Sequence, residues 1–343
     1  MRQSGIGGSA VFSVYVEESM SVKIIGTGSA VPKLRVTNED LSRILDTSDE
    51  WIYSRTGIKA RHIAVEETTA QLAAEAAGAA LSMAQLAAED IDLIIGATAT
   101  PDRLLPGLAC EVQRILGAAH AAAFDINAAC SGFLFALNIV NAYLRSGVYQ
   151  NALIIGAETL SRLTDWTDRG TCVLFGDGAG AAVVAADGAG ETRGILGMVQ
   201  GSDGGRGMVL SCGNRPLNNP YVNHGNETPY VDMNGQEVYK FAVKTVPAAI
   251  AQAVEAARLT VEEIDLFLLH QANYRIIEAA AKRLGQPMEK FPTNMQERGN
   301  ISAASVPILL DEVNRSGKIK EGDKIVLAGF GAGLTWGAAV LGW

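Results

Sequence analysis

The chain repeats itself at a fixed interval, which confines it to folds that can be built twice. An alanine-rich helical run leading into a short apolar strand occurs early, as "AAEAAGAALSMAQLAAEDIDLIIGATAT", and again late, as "AAIAQAVEAARLTVEEIDLFLLHQAN". Both enter the strand through Ile-Asp-Leu, so Asp92 answers to Asp265, 173 residues further on. The same interval carries Asn127 of "DINAACSGF" onto Asn300 of "RGNISAASVP". A register shared over that distance is the mark of an internal duplication. The halves also end alike, with "FGDGAGAAVV" at 175–184 against "FGAGLTWGAAV" at 330–340.

Within each half, short apolar runs at 93–96, 152–155 and 266–269 lie between helical segments, the pattern of strands buried on both faces of a layered α/β fold. Two sheets sandwiched by helices are therefore expected. The chain divides into an extension at 1–20, a first half at 21–190 and a second at 191–343, with the first strand at 22–25 and Met20 a candidate start. The stretch 201–234, rich in Gly, Asn and Pro, reads as a long functional loop near the join.

With 343 residues, 48% apolar and 19% charged, the chain can bury a large core. Its net charge of −9 argues against nucleic acid or an anionic membrane as partner and leaves acidic partners only a local basic patch. The early apolar stretch 10–16 is short, broken by Ser13 and followed by two glutamates, so it is neither a membrane span nor a good signal peptide. Cys110, Cys130, Cys172 and Cys212 are widely spaced, which suggests neither zinc nor a disulfide framework and fits a reducing cytoplasm.

Cys130 follows the strand "AAFDI" and opens the helix "SGFLFALNIVNAYLRSG", where unpaired amides and the helix dipole favour a thiolate. His270 closes the strand "LFLLH" just before a helix starting near Asn273, where chemistry collects in α/β folds. Asn300 lies in a loop feeding the next helix. Taken singly, these read as a small buried cysteine, a satisfied structural histidine and an N-cap. The buried-cysteine reading is kept for Cys110, Cys172 and Cys212. The duplication, however, sets Asn300 opposite Asn127, three residues from Cys130, so that two elbows meet about a pseudo-twofold axis and the three side chains can share a pocket.

The series "DEWIYSRTGI", "DINAACSGF", "DRGT", "FGDGAGA", "HQANYRII", "GNISAASVP" and "GFGAGLTWGAA" resembles, in order and over nearly the whole chain, that of the β-ketoacyl-acyl-carrier-protein synthase III family. The resemblance implies a thiolase-like five-layer αβαβα fold, a homodimer and a ping-pong reaction of acyl-coenzyme A with malonyl-acyl-carrier protein, with no separate cofactor and no metal. Cys130 resembles the acyl-accepting nucleophile. His270 and Asn300 resemble the donors that stabilise the enolate left by decarboxylation. The amides of Cys130 and Ala332 resemble the oxyanion hole, with Ala332 standing where the commoner loop is all glycine.

Trp51 and Arg55, four apart on a helical turn, resemble the grip on the coenzyme A adenine, joined by Arg169 and Gly170. Gly235 and Gln236 resemble pantetheine-channel positions. Leu105 of "PDRLLPG" matches the residue that the other subunit lends to the acyl-pocket floor. Arg275, Lys282 and Arg283, on one helix, and Lys240 from its neighbour suit an acidic carrier protein. A second catalytic cysteine, as in thiolases, is absent from "GFGAGLTWG", and Asn300 replaces the second histidine of elongating synthases. The alternative is a related synthase of specialised metabolism with a different starter. The motifs leave primer length and branching open.

Overall fold

The structure, a computed structural model, describes residues 3–4, 10–14, 21–187, 193–213, 220–221 and 230–343. Two sheets form its skeleton. In the first, the strands run in the order Ser21–Ala30, Asp177–Asp187, Asn151–Thr159, Leu93–Ala97 and Ala122–Ile126. The second runs antiparallel to the first and to the third, and the last two join the third in parallel. The second sheet repeats this plan with Gly194–Ser202, Thr335–Gly342, Lys324–Gly331 and Leu266–Leu269.

Local chemistry explains why the repeat survives. Asp92 accepts hydrogen bonds from the amides of Gln150 and Asn151 at 2.8 and 3.2 Å, stapling its strand to the parallel neighbour. Asp265 accepts the amide of Lys324 at 2.8 Å in the same way, and Lys324 stands 173 residues after Asn151. Among the described residues, the four non-glycine residues with left-handed backbone pair off at that interval: Gln85 with Arg258, at φ 56° and 57°, and Ala129 with Ser302, at 46° and 43°. The opening strand of each sheet slips register at a glycine pressed against a helix. A Cβ on Gly26 would stand 2.3 Å from the Ala80 carbonyl oxygen, and one on Gly197 would stand 2.5 Å from that of Ala253.

Five layers follow. The helices Gly132–Arg145 and Ser305–Arg315 lie between the sheets, where Leu134, Leu137 and Val140 meet Leu309 and Leu310 with Leu93, Ile95 and Ile154 on one side and Leu268 and Leu327 on the other. The helix Thr69–Ala84 covers the outer face of the first sheet through Ala73, Ala76 and Ala77 against Ile94 and Ile155. The helices Gly235–Ala256 and Tyr274–Leu284 cover the second. Each strand presents alternate residues to different layers, which is why the strands read as unbroken apolar runs.

The amino-terminal stretch differs from a plain lead into the first strand. Ala10–Val14 pairs antiparallel with residues 198–201 at the edge of the second sheet, a long-range pairing that no local pattern announces. The segment 201–234 is organised at its ends, where Leu210–Cys212 pairs with Val231–Met233. Residues 214–219 and 222–229 of it lie outside the described residues. Among those described, no helix is long and apolar enough to cross a membrane.

Candidate active site

Two strand-to-helix elbows build the site. Cys130 sits in the turn Ala129–Ser131 between the strand Ala122–Ile126 and the helix Gly132–Arg145. Asn300 precedes the equivalent turn Ser302–Ala304 and the helix Ser305–Arg315. In each elbow an asparagine side-chain oxygen accepts the amide two residues on: Asn127 from Ala129 at 3.1 Å, and Asn300 from Ser302 at 2.9 Å. These local bonds support the left-handed turn that follows. The elbows abut. A Cβ on Gly132 would lie 3.3 Å from that of Ala303, a tight contact, and one on Gly156 would lie 2.2 Å from the Ala303 carbonyl oxygen, so Gly156 needs to be glycine.

His270 continues the line of Leu266–Leu269, its amide donating to Ala328 O at 2.8 Å. Its ring packs edge-on to Phe330 at 5.5 Å, and its Nδ1 is buried with no hydrogen-bond partner. Burial pushes its pKa down to about 3, so the imidazole is neutral at ordinary pH and has one N–H to give. The Asn300 backbone is clamped on both sides, its amide donating to Leu174 O at 2.9 Å and its carbonyl accepting from Gly176 at 3.0 Å.

Cys130, His270 and Asn300 line one cavity of about 210 Å³, together with Ala99, Ser302, Phe330, Gly331 and Ala332. Its remaining wall is mostly apolar, from Leu160, Phe175, Val238 and Ile276. The expected lowering of the Cys130 thiol is corrected here. Burial pushes it up to about 12, and the Ser302 hydroxyl beside it pulls the other way. Desolvation exceeds the opposing effects at the sulfur because Cys130 lies two residues before the helix proper, even though the residue is only half-buried where it lines the cavity. Ala332 fits the loop, since the left-handed conformation falls on Gly333, at φ 132°. The Thr335 hydroxyl lies 3.0 Å from the carbonyl oxygens of both Ala128 and Ala332, tying this loop to the Cys130 elbow.

Away from the cavity floor, the Arg55 and Arg169 guanidinium groups lie over the Trp51 ring at 4.5 and 5.2 Å. The helix Asp49–Thr56 that carries Trp51 is tied to the cavity rim, because Asn273 Nδ2 donates to Arg55 O at 2.9 Å and Arg275 to Ser54 O at 2.7 Å. Gly170 donates its amide to Asp168 Oδ1 at 2.8 Å in the loop leading to Leu174, which lines the cavity. Gly235 lines the cavity, whereas Gln236, one step round the helix, is exposed and does not.

Leu105 is 86% exposed and touches no part of this chain's own cavity. Lys282 and Arg283 are exposed on the last turn of their helix, while Arg275 is held at its start. Lys240 is not a free cation: it pairs with Glu237 at 2.8 Å, a carboxylate that Arg206 also approaches at 3.4 Å.

The buried reading fails for Cys212, which is exposed and lines the cavity. Cys110 is half-buried, and Cys172 is buried as expected. Sequence reasoning missed Ser302 and Glu158. For Ser302 the 173-residue interval was a signal, because it sets Ser302 opposite Ala129 beside Cys130. For Glu158, one glutamate among many, there was none.

A duplicated five-layer α/β sandwich with Cys, His and Asn on one cavity defines a condensing acyltransferase of the thiolase fold. The family model described as 3-oxoacyl-[acyl-carrier-protein] synthase III matches residues 124–204, and the model of its C-terminal part matches 254–343. The β-ketoacyl-[acyl-carrier-protein] synthase III of Clostridium acetobutylicum is 51% identical over 94% of this chain and 99% of its own length, and that of Trichodesmium erythraeum is 50% identical over 95% and 99%. The crystal structure of 3-oxoacyl-[acyl-carrier-protein] synthase III from Aquifex aeolicus superposes with a TM-score of 0.87 at 46% identity, covering 94% of this chain and all of that one. The priming β-ketosynthase of the R1128 polyketide pathway superposes equally well, at 36% identity over 96% of this chain and 98% of its own. The chain belongs to the β-ketoacyl-acyl-carrier-protein synthase III family.

Proposed function

We propose that this enzyme performs the initiating condensation of fatty acid synthesis, joining a short acyl-coenzyme A to malonyl-acyl-carrier protein to give β-ketoacyl-acyl-carrier protein, carbon dioxide and coenzyme A. The observation that carries the proposal is that Cys130, His270 and Asn300 share one largely apolar cavity. Cys130 attacks the thioester carbonyl, the bond to the coenzyme sulfur breaks, and coenzyme A leaves as the thiol. The malonyl carboxylate then departs as carbon dioxide, and its bonding pair moves onto the thioester oxygen. Neutral His270 gives that oxygen an N–H. Asn300 gives it Nδ2–H, since the amide of Ser302 occupies Oδ1. The enolate carbon attacks the acyl-Cys130 carbonyl, whose oxygen meets the amides of Cys130 and Ala332, and the cysteine sulfur leaves. No step needs a metal or a separate cofactor.

In the same reading, Trp51, Arg55, Arg169 and Gly170 hold the nucleotide end of coenzyme A, and Gly235 flanks its pantetheine arm. Arg275, Lys282 and Arg283 receive the acidic carrier, and Lys240 joins them once Glu237 is shared out. The chain is a homodimer in the cytoplasm, dividing at 20/21 and 190/191. Support for the dimer comes from the unpartnered edge strand Ala122–Ile126, with Phe124 37% exposed, and from Leu104 and Leu105. Leu105 would enter the partner's acyl pocket. A second reading, a priming synthase of specialised metabolism with another starter, is kept open by the likeness to the R1128 enzyme.

Intact-mass measurement of wild type and Cys130→Ala tests both readings, using acyl-coenzyme A thioesters of graded length and branching followed by malonyl-carrier protein. Acylation of the wild type alone, discharged as ketoacyl-carrier, supports the mechanism, and the ranking of primers separates the two readings. Equal labelling of the variant would sink the nucleophile assignment.

A further inference from the structure

Two donors can meet one enolate oxygen only if His270 and Asn300 keep a fixed separation, and they stand on different elements. His270 ends the line of the strand Leu266–Leu269, whereas Asn300 follows the short helix Met295–Arg298 and Gly299. Gln271, the residue after His270, joins the two and is only 1% exposed. Its amide donates to Ser305 Oγ at 2.8 Å, and Ser305 opens the helix that follows the Asn300 elbow. Its Oε1 accepts the amides of Asn294 at 3.1 Å and Met295 at 3.4 Å, where the preceding short helix begins. Its Nε2 donates to Leu269 O at 2.8 Å, which fixes the side chain back onto the His270 strand. Met295 and Ser305 stand five residues before and after Asn300, so one residue grips the Asn300 segment on both flanks.

The short helix is held along its length as well. Asn294 Nδ2 donates to Glu312 Oε2 at 2.8 Å, and Arg298 Nε, two residues before Asn300, donates to Glu312 Oε1 at 2.8 Å. The duplicated architecture does not ask for the Gln271 bridge. In the first half, the residues 173 positions before Gln271 and Ser305 are Thr98 and Gly132, which offer neither a side-chain amide at the one place nor a hydroxyl at the other. Among the described residues, none of the Gln271 hydrogen bonds goes to the Cys130 elbow.

We propose that Gln271 is a positioning residue for the enolate-stabilising pair: it sets the separation of His270 and Asn300, and through it the decarboxylation of malonyl-acyl-carrier protein, while leaving acylation of Cys130 alone. Fixed donors stabilise charge as it develops, and a misplacement of about 1 Å can cost on the order of 100-fold in rate. A side-chain amide suits the task because it accepts from two backbone N–H groups and donates to a carbonyl without carrying charge. The inference rests on His270 and Asn300 as the donor pair. His270→Ala and Asn300→Ala in the same assays detect failure of that premise separately, as decarboxylation that persists without either donor.

The test measures the half-reactions apart, carbon dioxide release from malonyl-acyl-carrier protein and rapid-quench acylation of Cys130 by acetyl-coenzyme A, in Gln271→Met, Gln271→Glu and Ser305→Ala. Melting temperature is recorded alongside. Gln271→Met, which keeps the side-chain length and removes its hydrogen bonds, is expected to lower kcat for decarboxylation about 10- to 100-fold, with KM for the malonyl carrier within about threefold and acylation within about twofold. Ser305→Ala releases the later flank alone and should show the same selectivity with a loss of about 3- to 10-fold, which keeps the test open should Gln271→Met fold poorly. Gln271→Glu adds a pH readout. A neutral carboxyl both accepts and donates, as the amide does, whereas a carboxylate has nothing to give Leu269 O. Decarboxylation by Gln271→Glu relative to wild type should therefore rise as pH falls from about 8 to about 6, while relative acylation stays level. His270 beside the new carboxyl and Glu312 beyond Asn294 are present in the wild type too, so the ratio isolates the substitution. Equal losses in the two half-reactions, or no loss in either, among the variants that fold would overturn the proposal, and so would a Gln271→Glu deficit that does not change with pH.

Discussion

Gly331 lies against Cys130 so closely that a Cβ on it would stand 2.7 Å from the Cys130 amide nitrogen and 2.9 Å from its Cβ. The strand that leads into the Ala332 loop therefore fixes how far the cysteine elbow reaches into the cavity. Gly331→Ala is expected to cost about 1–3 kcal/mol of stability by overpacking and to lower the rate of Cys130 acylation at least tenfold, because the elbow must move away from its loop. Thermal melting and timed thioester formation check this. A variant that acylates at the wild-type rate would show that the elbow yields freely.

The relation between Gly331 and Cys130 also marks where sequence reading stops. The duplication was legible because Asp92 and Asp265 staple equivalent strand pairs and Asn127 and Asn300 cap equivalent elbows, so local chemistry held the register. From that register the meeting of Cys130, His270 and Asn300 followed. What sequence could not supply were balances set by the surroundings. The helix end beside Cys130 argued for an easily ionised thiol, and only the folded structure shows desolvation at the sulfur exceeding it. Gln236 faces outward because one residue on a helix is about 100° of rotation, enough to part it from Gly235. The pairing of Lys240 with Glu237, three residues apart on one helix, was readable and was passed over.

Arg61 is buried without a carboxylate partner among the described residues. It donates to Asn38 Oδ1 at 2.8 Å and to Val173 O at 2.5 Å, while burial lowers its guanidinium to about 10. The carbonyl of the next residue, Leu174, receives the Asn300 amide, so Arg61 anchors the segment that clamps Asn300. Arg61→Met would strand two buried acceptors and should lower stability by roughly 2 kcal/mol or more. It should also slow malonyl decarboxylation more than Cys130 acylation, if Asn300 serves the former as proposed. Separate assays of the two half-reactions decide, and equal losses in both would reduce Arg61 to a purely structural part.

His270, pushed down to about 3 by burial, gives a pH signature with a definite sign. The unfolded chain binds a proton near pH 6.5 that the folded chain refuses until about pH 3, so the neutral histidine's contribution to stability is present above 6.5 and lost as pH falls towards 3. At pH 5 the loss is roughly 2 kcal/mol. Glu158 works oppositely, since its raised carboxyl favours the fold below about 4.5 and loses that effect as pH rises through 7. Urea unfolding of wild type and His270→Gln between pH 5 and 8 should therefore diverge on the acid side, the variant losing less. Parallel curves would mean that His270 titrates in the folded enzyme as it does in the unfolded chain.

Trp51 carries two guanidinium groups before any ligand arrives, Arg55 at 4.5 Å and Arg169 at 5.2 Å. An adenine ring that stacks on the face covered by Arg169 would displace that guanidinium, which has an alternative partner in Asp46, whose carbonyl it already reaches at 2.6 Å. The binding gained from stacking is thus the difference between two contacts with the same ring, worth about 0.5–2 kcal/mol, or roughly 3- to 30-fold in KM. Trp51→Ala is expected to raise the KM for acyl-coenzyme A by that factor while leaving kcat/KM for the corresponding acyl-pantetheine, which lacks the nucleotide, within about twofold. If Arg169 leaves the ring when adenine binds, adding Arg169→Ala to Trp51→Ala should raise KM by less than the product of the single effects. Steady-state kinetics with the two thioesters and the four proteins settle it. A Trp51→Ala loss that is equally large with acyl-pantetheine would show that the tryptophan shapes the cavity mouth and does not grip the nucleotide.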